Sequence, residues 1–170
     1  MPLFPLDAGY PMTTSLKILP ALLNQSEALL ALQQRAYQSE ARLYNDWTLP
    51  PLTQSLASMR EDITTMTVLA AVVAGSIVGS VRGRLSEGTC HIGRLIVEPQ
   101  WQGQGIGTAL LAAIEQRFPE AENFELFTGS KSSGNLRLYQ RLGYREIRRQ
   151  AVAPHLELVF LRKAAAQNAM

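Results

Sequence analysis

Between Leu95 and Leu111 the chain reads Leu-Ile-Val-Glu-Pro-Gln-Trp-Gln-Gly-Gln-Gly-Ile-Gly-Thr-Ala-Leu-Leu, and this stretch limits the fold more than any other. An apolar run suited to a buried strand closes at Pro99. Gly103, Gly105 and Gly107 then open a helix in which Ile106, Leu110, Ile114 and Phe118 recur every four residues, with Pro119 beyond its end. A strand that passes through a glycine turn into an amphipathic helix belongs to an α/β chain. The first turn of a helix presents N–H groups without partners, and the helix dipole favours an anion there. Glycine removes the Cβ atoms that would hold a phosphate away from those donors. On physical grounds the stretch is a phosphate or pyrophosphate cradle, and a ligand-free tight turn is the alternative.

Two common phosphate-binding motifs do not fit. A Walker loop ends in Gly-Lys-Ser/Thr, where this chain has Ile106-Gly107-Thr108, and Gly129-Ser-Lys-Ser has the wrong glycine spacing. A dinucleotide fingerprint needs glycines at its first, third and sixth positions. Counting from Gly103 the sixth is Thr108, and counting from Gly105 it is Leu110.

The rest of the chain supplies an alternation of strands and helices. Pro2, Pro5 and Pro11 mark residues 1–14 as an irregular arm, and Ser15 to Leu19 reads as a short strand. Asn24 and Glu27 have the spacing of a capping box, and Leu29, Leu32, Ala36 and Leu43 fall on one helical face that also carries Glu40. Pro50 and Pro51 end that element, and a second short helix is expected over Leu52 to Asp62. Strands are expected over Thr67 to Val73, Ile77 to Leu85 and Thr89 to Val97, the first two joined by a turn at Gly75. After the Gly105 to Phe118 helix come a strand over Phe124 to Thr128, a Gly/Ser loop, a helix from Asn135 to Leu142 and strands over Tyr144 to Val152 and Leu156 to Arg162. The order makes a single α/β domain over residues 15–163 with a tail at 164–170.

The pattern Gln102-Gly-Gln-Gly105-Ile-Gly107 after Leu95-Ile-Val97-Glu-Pro99 resembles the acetyl-CoA signature of the GNAT superfamily of N-acetyltransferases. A second family signature is matched downstream by Asn135-Leu-Arg-Leu-Tyr139-Gln-Arg-Leu-Gly143-Tyr144, and the element order agrees from Ser15 to Lys163. The phrases Glu40-Ala-Arg-Leu-Tyr-Asn-Asp, Leu49-Pro-Pro-Leu, Ile77-Val-Gly-Ser-Val-Arg and Glu125-Leu-Phe-Thr-Gly look like one bacterial subgroup. The resemblance implies a mixed, mostly antiparallel central sheet of about six to seven strands flanked by about four helices. It also implies transfer of an acetyl group from acetyl-CoA to a primary amine, by direct attack and without a metal.

The same resemblance distributes the roles. Backbone at Ile96 and Val97 would hold the pantetheine arm and acetyl carbonyl. The run Gln102, Gly103, Gln104, Gly105, Ile106, Gly107 and Thr108 would hold the pyrophosphate, with Asn135 and Tyr139 completing the cofactor site. Tyr139 is the expected general acid within this motif, since a phenol is protonated at neutral pH and a thiolate leaving group gains from its proton; in isolation it reads as a core residue beside Leu138 and Leu142. Glu40 is a candidate general base, because a carboxylate on an apolar stripe is costly without a partner or a cleft; a half-exposed glutamate near a helix end is the alternative. Tyr37, Tyr44, Asp46, Trp47 and Thr128 would line the acceptor pocket with it. Relatives often carry a glutamate where Cys90, His91 and Gly93 stand here, so a base carried on that strand is in question. Glu98 reads as structural.

Composition bounds the remaining classes. Hydrophobic residues make up 46% of 170 and the net charge is +2, values of an ordinary globular domain rather than of a nucleic-acid surface. Arg137, Arg141, Arg145, Arg148 and Arg149 come without an aromatic stacking platform, and read as a solvated face or as a contact for the adenosine 3′-phosphate. One cysteine and two isolated histidines offer no disulfide and no metal cluster. No spanning segment and no secretory leader is visible, so a cytoplasmic enzyme without membrane or nucleic-acid partners is expected. A small-molecule or peptide amine is the expected partner, and a homodimer is compatible with the family. A non-catalytic acyl-CoA sensor, or an acyltransferase using another acyl group or nucleophile, is the competing reading.

Overall fold

The computed structural model describes residues 16–166, so the proline-rich arm and the last four residues of the tail lie outside the described part. The strands are β1 (Lys17–Pro20), β2 (Thr67–Val73), β3 (Ser76–Ser86), β4 (Thr89–Val97), β5 (Asn123–Gly129), β6 (Arg145–Ala153) and β7 (Leu156–Ala164). The helices are α1 (Ser26–Ala36), α2 (Gln38–Tyr44), α3 (Pro50–Thr53), α4 (Leu56–Thr65), α5 (Ile106–Gln116) and α6 (Ser133–Arg141). All the strands join one seven-stranded sheet in the order β1-β2-β3-β4-β5-β7-β6. Every pairing is antiparallel except β4 with β5. The mixed, mostly antiparallel sheet is therefore the one expected.

Alternation along the strands sorts side chains to the two faces. Leu69 and Val81 pack with Leu110, Leu111 and Ile114 of α5 in the main core. Val68, on the opposite face, packs with Leu29 of α1 and Met59 of α4. Cys90 lies inside the main core, and burial pushes its thiol up to about 12, which makes it an inert packing group.

The parallel pair is short, and this short pairing creates the site. Only Thr89–His91 of β4 pair with Asn123–Glu125 of β5. Beyond them β4 stays with β3 through Val97, and β5 stays with β7 through Gly129. The sheet thus splits into a V whose arms are the carboxyl-terminal halves of β4 and β5.

Several local expectations change. Asn24 does not cap a helix; it sits in a 3₁₀ turn at Leu23–Gln25, where Gln25 Oε1 accepts from Leu22 N–H at 2.8 Å. The first helix is not continuous through Leu43. Tyr37 takes φ −87° and ψ 1°, bending the chain between α1 and α2, and Leu43 is left 43% exposed. The expected helix over Leu52 to Asp62 is two elements: Pro50 and Pro51 open α3, and Ser55 caps α4 by accepting Ser58 N–H at 3.1 Å. The last strand runs through Ala164, and Ala165 N–H donates to Glu122 O at 2.9 Å.

Candidate active site

On the β4 arm of the V, Glu98 N–H donates to Val78 O of β3 at 2.8 Å. Backbone groups alternate sides along a strand, so Val97 turns its N–H and C=O away from β3, towards the split. Gln102 Nε2 donates to that carbonyl at 3.3 Å, tying the glycine turn to the strand and leaving the Val97 N–H for another acceptor. Glu98 is structural, as expected: both its carboxylate oxygens accept from Arg35 Nε at 3.1 Å, which pins the end of β4 to α1.

The turn then opens α5. Gly103 and Gly105 have φ of +78° and +84°, the left-handed region where a β-carbon is unfavourable, and a Cβ built on either meets no atom within 4 Å. The space over these positions is open. No side chain caps α5, so the first-turn N–H groups at Ile106, Gly107 and Thr108 face that space with no helical carbonyl to bond. Gln104 and Thr108 lie on the same segment, Gln104 exposed and Thr108 half-buried. Such an array accepts an anion.

On the other arm, Gly129 ends β5 where Tyr44 closes over it: a Cβ there would collide with the Tyr44 hydroxyl. That hydroxyl accepts from Lys131 N–H at 3.0 Å and donates to Ser132 Oγ, 2.8 Å away. Ser132 Oγ in turn donates to Glu40 Oε1 at 2.6 Å. Every donor points along the chain towards Glu40, so the carboxylate terminates a relay that begins in the β5–α6 loop. Thr128 Oγ1 accepts from Asn135 Nδ2 at 3.2 Å, fixing α6 to β5.

Tyr139, on α6, is 6% exposed, with its ring tilted on Tyr144 at 6.2 Å between centroids. Burial, then the neighbouring Tyr37 and Glu40, raise its pKa, so the phenol stays protonated. None of the described residues hydrogen-bonds its hydroxyl. Tyr37, at the α1–α2 bend, is raised likewise by burial and by Glu40, and lowered by Arg94 and Arg82. The charge of Glu40 thus acts on both Tyr37 and Tyr139, and Tyr44 reaches Glu40 through Ser132. Two further expected pocket residues have surroundings of their own. Asp46 takes Thr48 N–H and Oγ1 on one oxygen and His155 Nε2 on the other, at 2.8, 2.6 and 2.8 Å. Trp47 is 51% exposed.

Sequence reading missed a polar cleft formed where the α3–α4 segment meets β3 and β4. Pro50, Thr53, Gln54, Ser58, Asp62, Arg82 and Arg94 line an open space of about 240 Å³. Arg82 Nη1 pairs with Asp62 Oδ2. Gln54 Oε1 accepts from Arg94 Nη1 and from the buried Gln33 Nε2, both at 2.8 Å, and Gln54 Nε2 donates to Asp62 at 2.6 Å. Arg94 stands on a bulge where the β3–β4 register shifts, with φ +52°. Its signal in the sequence is an arginine inside the apolar run Ile92-Gly-Arg-Leu-Ile-Val.

Among the described residues no cluster of His, Cys, Asp and Glu could hold a metal, and no helix is long and apolar enough to cross a membrane.

Comparison with known proteins agrees with this geometry. A solved N-acetyltransferase PaiA from Thermoplasma acidophilum, in complex with coenzyme A, superposes with a TM-score of 0.73 at 13% identity, over 88% of this chain and 99% of that one. The ribosomal-protein-S18-alanine N-acetyltransferase from Escherichia coli gives 0.72 at 15% identity, over 91% and 96%. An uncharacterized N-acetyltransferase of Methanocaldococcus jannaschii is 34% identical over 79 residues, 45% of this chain and 51% of that protein, so the match spans about half the relative's length. The model of the acetyltransferase (GNAT) domain matches residues 37–165, from the Tyr37 bend through the last strand. A split sheet with an uncapped helix at its mouth, and a family match over three quarters of the chain, make this protein a member of the GNAT acetyltransferase family.

Proposed function

We propose that the protein transfers an acetyl group from acetyl-CoA directly to a primary amine bound in the V between β4 and β5. The observation that carries this reading is the Tyr139 hydroxyl, buried, under the charge of Glu40, and without a hydrogen-bond partner among the described residues. Leaving such a group unpaired costs about 1–3 kcal/mol, so a ligand that completes it accounts for its presence. Two of the solved neighbours, PaiA and the YncA protein of Salmonella typhimurium, carry coenzyme A and acetyl-CoA respectively, which supports the same cofactor here.

Acetyl-CoA supplies an activated carbonyl and a thiolate leaving group. The N–H groups of Ile106, Gly107 and Thr108 and the open turn from Gln102 to Gly105 take the pyrophosphate. The Val97 N–H, turned into the split, donates to the acyl oxygen and stabilises the charge that develops there. The incoming ammonium loses a proton to Glu40, whose position is fixed by Ser132 and Tyr44. As the amine nitrogen bonds to the acyl carbon and the carbon–sulfur bond breaks, Tyr139 donates its proton to the sulfur, and the second proton that the nitrogen loses on becoming an amide restores the phenol. Cys90 is the chain's only cysteine and is sealed in the core, which argues against acetyl transfer through a cysteine thioester.

The test is a thiol-release screen over small amines and peptide N-termini with the native protein and Tyr139→Phe. Turnover of the variant should fall about 10²-fold or more. Its melting temperature should hold or rise, because an unpaired buried hydroxyl has been removed. Native turnover in the variant would make Tyr139 a packing residue.

A further inference from the structure

We infer that the acceptor amine also carries an oxyanion, a carboxylate in the first instance, and that Arg94 binds it in the cleft it lines with Gln54, Asp62 and Arg82. This deepens the reading above and rests on it for the identity of the reacting nitrogen. The cleft of about 240 Å³ holds two guanidinium groups against one carboxylate. Asp62 is committed to Arg82, with Gln54 Nε2 as its second donor. Arg94 forms no ion pair among the described residues; its one side-chain partner is the neutral Gln54 Oε1 at 2.8 Å. Burial and the like charge of Arg82 lower its pKa, which reflects a cation short of negative charge. A half-buried guanidinium keeps donors free in a fixed fork, the geometry that suits a carboxylate.

The chain holds Arg94 there at a cost. A non-glycine residue at φ +52° is strained, and residues in such regions concentrate at ligand sites. The bulge turns its side chain towards Gln54 and the cleft, away from the regular ladder with β3. Arg94 lies three residues before Val97, about 10 Å along the strand from the proposed acyl site. The charges of Arg94 and Glu40 both act on Tyr37. An acceptor with an ammonium and a carboxylate a few bonds apart, as in a small amino acid, matches that pair of charges. A polyamine would bring a second cation against Arg82 and Arg94.

The experiment compares matched pairs: free amino acids and their carboxamides as acceptors, and N-acetylglycine and N-acetylglycinamide as product-like ligands followed by saturation-transfer NMR. The native protein should favour the free acid by about 10- to 100-fold in kcat/KM, the worth of one charge-assisted hydrogen bond. Arg94→Gln should collapse that ratio towards one, and Arg94→Lys should restore part of it. N-acetylglycine should bind the native protein and not Arg94→Gln, while N-acetylglycinamide binds neither well. Aminophosphonates preferred over amino acids would support the oxyanion site and move its occupant from carboxylate to phosphonate. Equal or better use of carboxamides, or a preference that survives in folded Arg94→Gln, overturns the inference. Absence of acetyl transfer to every amine would refute the proposed reaction instead, and the N-acetylglycine binding comparison still decides the cleft because it needs no turnover.

Discussion

At the scale of single residues, the site is a set of groups whose usual partners are either fixed or withheld. Glu40 is fixed by Ser132, and the residues that fix it, Tyr44 and Ser132, are both buried. Glu40→Gln removes the proposed proton acceptor while keeping the hydrogen bond from Ser132, so kcat for the acceptor should fall about 10²-fold or more with little change in acetyl-CoA affinity. Steady-state kinetics with each substrate varied in turn would check this. Asp46 has a different task. Hydrogen bonds from Thr48 and from His155 hold its carboxyl down at about 2, against an ordinary 3.8. A depressed carboxylate contributes stability that is present above the unfolded value and is lost as pH falls through the folded one. Asp46 should therefore keep its charge down to pH 3, and the tie between the α2–α3 loop and the β6–β7 turn should loosen between about pH 4 and pH 2. A carboxyl titration by NMR would show this, and a midpoint for Asp46 near 4 would remove it.

At the scale of elements, the strand-turn-helix from β4 to α5 was the part most legible in the sequence. Its glycines, its apolar period and its closing prolines all point to one local structure, and the boundaries agree within a residue or two. The first helix was less legible. Leu29 and Leu32 are buried as their spacing implies, but Tyr37 bends the chain, an event that tertiary packing decides and periodicity does not record. Arg82 and Arg94 escaped sequence reading because nothing local shows that Gln54 and Asp62, from another element, converge on them. Gly105→Val tests the element most directly. A β-branched residue at φ +84° costs about 1–3 kcal/mol and sets a side chain over the open α5 terminus. Calorimetric titration should show acetyl-CoA affinity reduced at least about 10-fold in a protein that still folds.

For the molecule as a whole, one short parallel pairing decides where chemistry can occur. Three residues of β4 pair with β5, and the rest of each strand follows a different neighbour. The proposed site draws the α5 terminus, the free edge at Val97, the Glu40 relay and Tyr139 together at this split, although they are separated by up to 99 residues of sequence, from Glu40 to Tyr139. The central claim is that acetyl-CoA lies in this opening. Backbone amide NMR during titration with acetyl-CoA tests it directly. The largest shifts should fall on Val97, Gln102 to Thr108 and Tyr139, with the remote β1 and β6 strands nearly still. Saturable binding that leaves the Ile106, Gly107 and Thr108 amides unmoved, or no binding at all, would contradict it.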